Sequence, residues 1–404
     1  MDDPSYGQRR HSQLMRHHLA PRILSVAVAF TVAVGLSSLP LLGSEVAAAS
    51  TTTKTVPEPS MEAGGSITAS SCVRGPVCVV LGWNHHGNSP YLWAARWRDN
   101  TWTKLSAPPE GENSGMGAST ISCTSTTWCM ATGSNGLNPG NHPIAEELTG
   151  THWTTLPVPV LKGSTDFSLY ELHCQSKQWC VGVGSYVANK PSYSDAQFLV
   201  SEVWNGSTWR IVPIFSPRTY APQIDPGMVA GGEHPTAAPQ AISCVSKTFC
   251  VLAGFWTGVF VEEWNGLRWS KVAAPNAPLR PRYDSEFTGG TCVSTTFCVA
   301  TGGYAVSNAA WRPLVEQWNG QSWRVATLPK LPQHYNGKPG FRLSQVSCAS
   351  SNFCVASGNA GLSSPVLNNL QWNGVTWRYV VAKSEPRLTL VCLTKNECNL
   401  TDAA

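Results

Sequence analysis

The stretch Gly290-Thr291-Cys292-Val293-Ser294-Thr295-Thr296-Phe297-Cys298-Val299-Ala300-Thr301-Gly302 decides how the chain is read. Two cysteines six positions apart sit among β-branched residues, which favour strands. The same spacing recurs at Cys72/Cys78, Cys123/Cys129, Cys174/Cys180, Cys244/Cys250, Cys348/Cys354 and Cys392/Cys398, and it uses all 14 cysteines. Seven copies of one stretch mean a tandem repeat. The spacing is longer than a zinc site uses, and no cysteine is left over, so each pair is expected to be a disulfide. In the chain-entropy picture a loop of about seven residues closed this way contributes about 2.4 kcal/mol.

Outward from the cysteines, each unit is expected to hold four strands. The first ends at a Cys, as in Ile121-Ser122-Cys123, and the second runs from the next Cys to a Gly, as in Cys250-Val251-Leu252-Ala253-Gly254. The third ends at a turn, as in Val261-Glu262-Glu263-Trp264-Asn265-Gly266. The fourth centres on Trp and ends near Pro, as in Trp323-Arg324-Val325-Ala326-Thr327-Leu328-Pro329. Units begin near residues 68, 119, 170, 240, 288, 344 and 388. Four short strands in a unit of roughly 50 residues is the pattern of a β-propeller blade. The expected fold class is therefore all-β, a propeller of seven four-stranded blades with six as the alternative, and one disulfide per blade. The last unit, Leu388 to Thr401, has only the Cys hairpin. The early stretch TTTKTVPEPS at 51–60 reads like the fourth strand Thr101-Trp102-Thr103-Lys104-Leu105, so it is expected to join that unit and close the ring.

Asn-Gly recurs at Asn205-Gly206, Asn265-Gly266, Asn319-Gly320 and Asn373-Gly374, between Trp residues five positions apart: Trp204/Trp209, Trp264/Trp269, Trp318/Trp323 and Trp372/Trp377. Trp97/Trp102 keeps the spacing across Asp99-Asn100, and Leu148/Trp153 is the imperfect copy. Read as two-residue turns with both residues at positive φ, these hairpins set the second Trp opposite the residue two before the first. That residue is Glu in four units, so Glu146, Glu202, Glu262 and Glu316 are expected to face Trp153, Trp209, Trp269 and Trp323 and to accept from their indole N–H groups.

Gly302, Trp318, Trp323 and Pro329 follow the order of a kelch-type blade, which the unit resembles. The resemblance implies a propeller and no particular activity. The tandem glycine of kelch survives once, at Gly302-Gly303. The Cys pairs look instead like those of secreted bacterial propeller proteins. Asn-Gly-x-x-Trp loosely echoes the Asp-box of sialidase-type propellers. The copper ligands of galactose-oxidase-like enzymes find no match.

The 404 residues are 13% charged, with 17 Trp, 35 Gly and 29 Pro, as suits many short strands and turns. The net charge of +4 comes without a basic stripe, which argues against nucleic acid. Arg9, Arg10, Arg16 and Arg22 precede an apolar run from Ile23 to Leu42, and Val46-Ala47-Ala48-Ala49-Ser50 follows. This is the order of a secretory signal. Residues 1–49 are expected to be a signal peptide and 50–404 a single propeller domain. The apolar run is nearly long enough to span a bilayer, so an uncleaved anchor is the alternative, and the membrane is a partner only in that case. Both readings place the domain outside the cytoplasm, secreted or at the cell surface, where paired cysteines oxidise. A monomer is expected.

The Cys loops and the Asn-Gly turns share one end of each blade. The other end carries loops of variable length, and recognition tends to sit on such loops. Candidate ligand-binding residues there are Trp83, His85, Tyr91, Trp93, Tyr186, Trp256, Arg282, Tyr283, Asp284, Tyr304, Trp311 and Arg312. Aromatics mixed with Arg and a few acids suit a glycan or an extracellular protein. No cofactor or metal is expected, because the adjacent His85 and His86 point apart on extended chain. No nucleophile elbow, zincin helix or phosphate loop is present. The rival reading is a hydrolase or lyase acting on polysaccharide, sialidase-like in outline. It requires two acids across one bond, for which Asp166, Asp225 and Asp284 with Arg282 would have to converge. A purely structural envelope protein is the third reading.

Overall fold

A computed structural model describes residues 54–55, 66–73, 77–86, 89–108, 117–136, 141–188, 197–214, 238–255, 258–274, 285–307, 310–330, 341–359, 368–381, 388–394 and 397–402. All belong to the compact unit Ser50–Ala404. The segment read as a signal or anchor lies outside them.

The first strand is β1 (Lys54–Thr55). Blade one is β2 (Ser66–Val73), β3 (Val77–His86), β4 (Ser89–Arg98) and β5 (Thr101–Leu105). Blade two is β6 (Ala118–Ser125), β7 (Trp128–Asn135), β8 (His142–Thr149) and β9 (His152–Leu156). Blade three is β10 (Ser164–Ser176), β11 (Trp179–Ala188), β12 (Gln197–Trp204) and β13 (Trp209–Val212). Blade four is β14 (Ala238–Ser246), β15 (Phe249–Phe255), β16 (Val259–Trp264) and β17 (Trp269–Val272). Blade five is β18 (Ser285–Ser294), β19 (Phe297–Ser307), β20 (Ala310–Trp318) and β21 (Trp323–Val325). Blade six is β22 (Arg342–Ser350), β23 (Phe353–Asn359), β24 (Asn368–Trp372) and β25 (Trp377–Val381). Each blade is an antiparallel sheet in sequence order, and the protein is an all-β propeller.

A three-stranded sheet joins the two ends of this unit. β26 (Leu388–Thr394) and β27 (Glu397–Asp402) form a hairpin, and β1 pairs with β27 through Lys54 beside Asn399 and Thr55 beside Leu400. β26 contacts β22 and β2, so this sheet lies between blade six and blade one. The pairing of β1 is parallel. Strands two and four of a blade run the same way, so a fourth-type strand that takes the third place must pair in parallel.

Bridges close Cys72–Cys78, Cys123–Cys129, Cys174–Cys180, Cys244–Cys250, Cys292–Cys298 and Cys348–Cys354. Cys392 and Cys398 stand opposite each other in register. Reduction of the folded chain is expected to add two hydrogens per bridge, 12 for these six and 14 with the last pair. Intact mass reads the total, and peptide mapping that paired cysteines of different blades would overturn the assignment.

The first Trp of each hairpin explains why Trp and Cys recur together. In blades three to six it lies opposite the second Cys. Its indole N–H donates to a carbonyl in the Cys loop: Trp204 to Lys177 O at 3.0 Å, Trp264 to Lys247 O at 2.9 Å, Trp318 to Thr295 O at 3.0 Å and Trp372 to Ser351 O at 2.9 Å. Trp264 is 1% exposed. Trp264→Phe should remove the bond and leave the Lys247 carbonyl without that donor, a loss of about 1–2 kcal/mol read from a denaturant midpoint at unchanged slope.

The turns differ from the expected geometry. In the Asn-Gly hairpins the two Trp residues themselves pair, Trp204 with Trp209 and likewise in blades four, five and six. Their rings lie 5.6–5.9 Å apart. Glu202 therefore faces Ile211, Glu262 faces Lys271, Glu316 faces Val325 and Glu146 faces Thr155, and the Glu–Trp pairing is overturned. The reason lies in the Asn side chain. Asn205 Oδ1 accepts from the amides of Ser207 and Thr208, both at 2.9 Å, so Asn is the corner before the turn rather than its first central residue. Gly206 then takes the first central place at φ 99°. The same pair of bonds recurs at Asn265, Asn319 and Asn373.

The core is a set of apolar layers between neighbouring blades. One layer sets Val181, Val183 and Val203 of blade three against Ile242, Leu252, Trp264 and Trp269 of blade four. Polar bonds cross the boundaries too. The amides of Cys123, Cys174 and Cys292 each donate at 2.9 Å to Ser71, Ser122 and Ser243 of the preceding blade. Trp269 Nε1 donates to Ser201 Oγ at 3.0 Å.

Candidate functional site

Near the Cys loops the blades repeat closely, and away from them they diverge. The residue after the recurrent strand-two glycine is Trp83, Ser134, Ser185, Phe255, Gly303 or Asn359. The residue six before the first Cys is Ser66, Gly117, Ser168, Ala238, Glu286 or Arg342. Both positions lie toward the loop-rich end, since Ser66 pairs with Trp83 and Glu286 with Gly303.

The candidate residues scatter around this end. Trp83 packs against the layer between blades one and two, and His85 lies on β3 opposite Pro90. Tyr91 packs beside Trp93, which is 6% exposed and belongs to the core of blade one. Trp93 also covers Gly82, where an added Cβ would come within 2.7 Å of the indole. Tyr186 packs between Phe167 and Phe198 in tilted contacts, with ring centroids 6.2 and 5.6 Å away. Trp93 and Tyr186 thus pack their own blades. Trp256, Arg282, Tyr283 and Asp284 lie outside the described residues.

Tyr304, Trp311 and Arg312 come together on blade five. Tyr304 pairs with Arg312, packs toward blade four, and is partly buried. Arg312 Nη1 donates to Trp311 O at 3.2 Å. Trp311 lies on the other face, toward blade six, where the Arg342 guanidinium sits 4.7 Å from its ring centroid. Arg342 Nη1 also donates to Glu286 Oε1. The Arg342 side chain is 50% exposed and that of Glu286 15%. Gly303 makes room for this: a Cβ there would lie 3.1 Å from both Arg342 Cβ and Trp311 Cε3. The sequence reading missed Arg342, and it counted Glu286 only among acids expected in loops, whereas Glu286 lies on β18. Their signal was present, because the position six before the first Cys is small and uncharged in blades one to four.

The recurrent acids are elsewhere. Glu146, Glu202, Glu262 and Glu316 are at most 2% exposed, within the layers between blades. Burial pushes the carboxyls of Glu202 and Glu316 up to about 8. Asp166, one of the acids required by the hydrolase reading, takes φ 49° and accepts the Asn141 amide at 3.3 Å, so it ties the β7–β8 loop of blade two to β10 of blade three. Asp225 lies outside the described residues. On the inner strand of blade three, burial raises Glu171 to about 8 against an opposing backbone bond from Ile242, and burial lowers His173 to about 4. Among the described residues, no three His, Cys, Asp or Glu side chains gather as metal ligands.

No protein-family model matches the sequence, and no curated protein matches it. Solved structures with a similar backbone include YCF48 bound to D1 peptide, 11% identical over 85% of this chain and 91% of that one, at a TM-score of 0.48. The WD40 propeller domain of Doa1 is 9% identical over 84% and 90%, at 0.46. The fucose-specific lectin of Aleuria aurantia is 12% identical over 80% and 97%, at 0.40. These are likenesses of fold alone.

Proposed function

We propose that this is an exported, non-enzymatic binding propeller that recognises a glycan or an extracellular protein through its loop-rich end. The observation that carries it is the contrast between the two ends of one repeat. Disulfides, Trp–carbonyl bonds and Asn turns repeat from blade to blade at one end, while side chains at corresponding positions differ at the other. A rigid scaffold that varies only at one end presents a recognition surface. Six bridges belong to an oxidising compartment. Export through residues 1–49, a kelch-like ancestry and a monomeric state are part of the same reading. So is counting the terminal three-stranded sheet as a seventh blade.

The test is to pass the domain over a glycan array and over solubilised surface proteins. Retention of a ligand in either supports the reading, and no retention in both sinks it. The hydrolase alternative stands on acids of the loop-rich end, and release of reducing ends from a polysaccharide panel would establish it in place of binding.

A further inference from the structure

We infer that the boundary between blades five and six holds a saccharide subsite, formed by Trp311, Arg342 and Glu286, with Arg342 and Trp311 packed together over Gly303. This rests on the binding reading and gives it a place and a ligand class, a neutral saccharide with adjacent hydroxyls.

The first ground is departure from the repeat. Equivalent positions in a propeller share a backbone, so an equivalent residue that changes character was not demanded by the fold. At the position six before the first Cys, blades one to four carry Ser66, Gly117, Ser168 and Ala238, whereas blades five and six carry Glu286 and Arg342. These two meet across the boundary. The residue after the strand-two glycine is Gly only in blade five, and that absence of a side chain accommodates Arg342 against Trp311.

The second ground is the chemistry of the three groups. Arg offers only donors, an ionised carboxylate only acceptors, and an indole an apolar surface. A sugar hydroxyl both donates and accepts, and a pyranose ring has an apolar C–H face. A donor and an acceptor side by side next to an aromatic match that combination. The Arg342–Glu286 pair is neutral overall, so it offers no net charge to an anionic ligand. The guanidinium is held by the ring and by one carboxylate bond, which lowers the entropy lost when its remaining N–H groups are engaged. Its 50% exposure leaves it within reach from solvent.

The experiment uses the full chain after removal of any signal, on an array of neutral and acidic glycans, with Trp311→Ala, Arg342→Gln, Glu286→Gln and Gly303→Ser. The last introduces the residue of blades two and three, Ser134 and Ser185, and crowds the cradle without removing any of its groups. Wild type is expected to retain neutral glycans. Each variant should weaken retention by about ten-fold or more, the worth of a charge-assisted hydrogen bond, at an unchanged near-UV circular dichroism spectrum. An ion pair that merely fastens two blades would shift the melting temperature and leave retention as it was, which overturns the proposal. Retention of neutral glycans that ignores all four substitutions overturns the location and leaves the binding reading standing. Retention of acidic glycans alone, or of none, overturns the ligand class, and the binding reading then rests on capture of surface proteins.

Discussion

Gly184→Ala is expected to destabilise the protein by about 3 kcal/mol or more, while Gly182→Ala, two residues away on the same strand, is expected to change stability by less than about 1 kcal/mol. The contrast follows from a bulge that recurs in every four-stranded blade. The inner strand carries one extra residue four before its first Cys: Thr68, Ser119, Tyr170, Gln240, Thr288 or Ser344. A bulge bends its strand and leaves a residue unpaired. Thr68 and Ser344 donate their hydroxyls to strand-two carbonyls of their own blades at 3.4 and 3.3 Å, while the Thr288 hydroxyl donates to Leu343 O of blade six at 2.6 Å. The bend also drives an inner-strand carbonyl into the space where strand two would carry a Cβ. At Gly184 that atom would lie 1.7 Å from Ser168 O, and at Gly302 it would lie 1.9 Å from Glu286 O. Backbone on both sides cannot move aside cheaply. Gly82, Gly133, Gly254 and Gly358 show the same approach at 2.0–2.4 Å. At Gly182 the nearest atom is 3.4 Å away, and the equivalent residues Ala131, Ala300 and Ala356 already carry the methyl. Denaturant midpoints at constant slope would decide the matter. Equal effects of the two substitutions would defeat the bulge argument.

This bulge explains how much the sequence disclosed. The glycine closing each second strand was legible as a repeat feature, but its cause is a contact across strands. Local pairings were read correctly where one spacing forces them, as with each Cys and its partner six positions on. The hairpin register was misread because Asn-Gly was taken as the central pair. Aligning the hairpins on their Trp residues would have corrected it. In blade one Asp99 and Asn100 are the central pair, with φ of 50° and 60°, and they align with Gly206-Ser207 rather than with Asn205-Gly206. The contact between Glu286 and Arg342, 56 positions apart, exists only because adjacent blades pack, so no local pattern could show it. What local pattern does show is the departure from the repeat at both positions.

The second large effect is a loss of stability as pH rises from about 6.5 to about 8, removed in large part by Glu202→Leu with Glu316→Leu. Both carboxyls are 0% exposed, and among the described residues neither of their oxygens has a hydrogen-bond partner. Their strand neighbours are Gly182 and Ile211 for Glu202, and Ala300 and Val325 for Glu316. Burial in this apolar layer raises both from 4.5 to about 8. Below pH 4.5 the folded and unfolded chains both hold these protons, so pH has no leverage through them. Between 4.5 and about 8 the unfolded chain has released them and the folded chain has not, so each unit of pH rise costs about 1.4 kcal/mol per carboxyl. Above about 8 the folded carboxyls ionise as well and the loss levels off. The full span is on the order of 5 kcal/mol per carboxyl, reduced by whatever water or relaxation reaches the ionised form. Glu171, also raised to about 8, acts in the same direction. His173, lowered from 6.5 to about 4, acts oppositely below 6.5, so the decline is steepest above that value. Leu is a sound replacement because blade six carries Leu370 at this position, 0% exposed, and blade one carries Ala95. Urea midpoints at about pH 5, 6.5 and 8 read the effect, with the stability advantage of the double variant over wild type larger at pH 8 than at pH 5. A wild-type profile that stays level across this interval, or a double variant with an undiminished slope, would mean that these carboxyls reach water and are not held neutral between the blades.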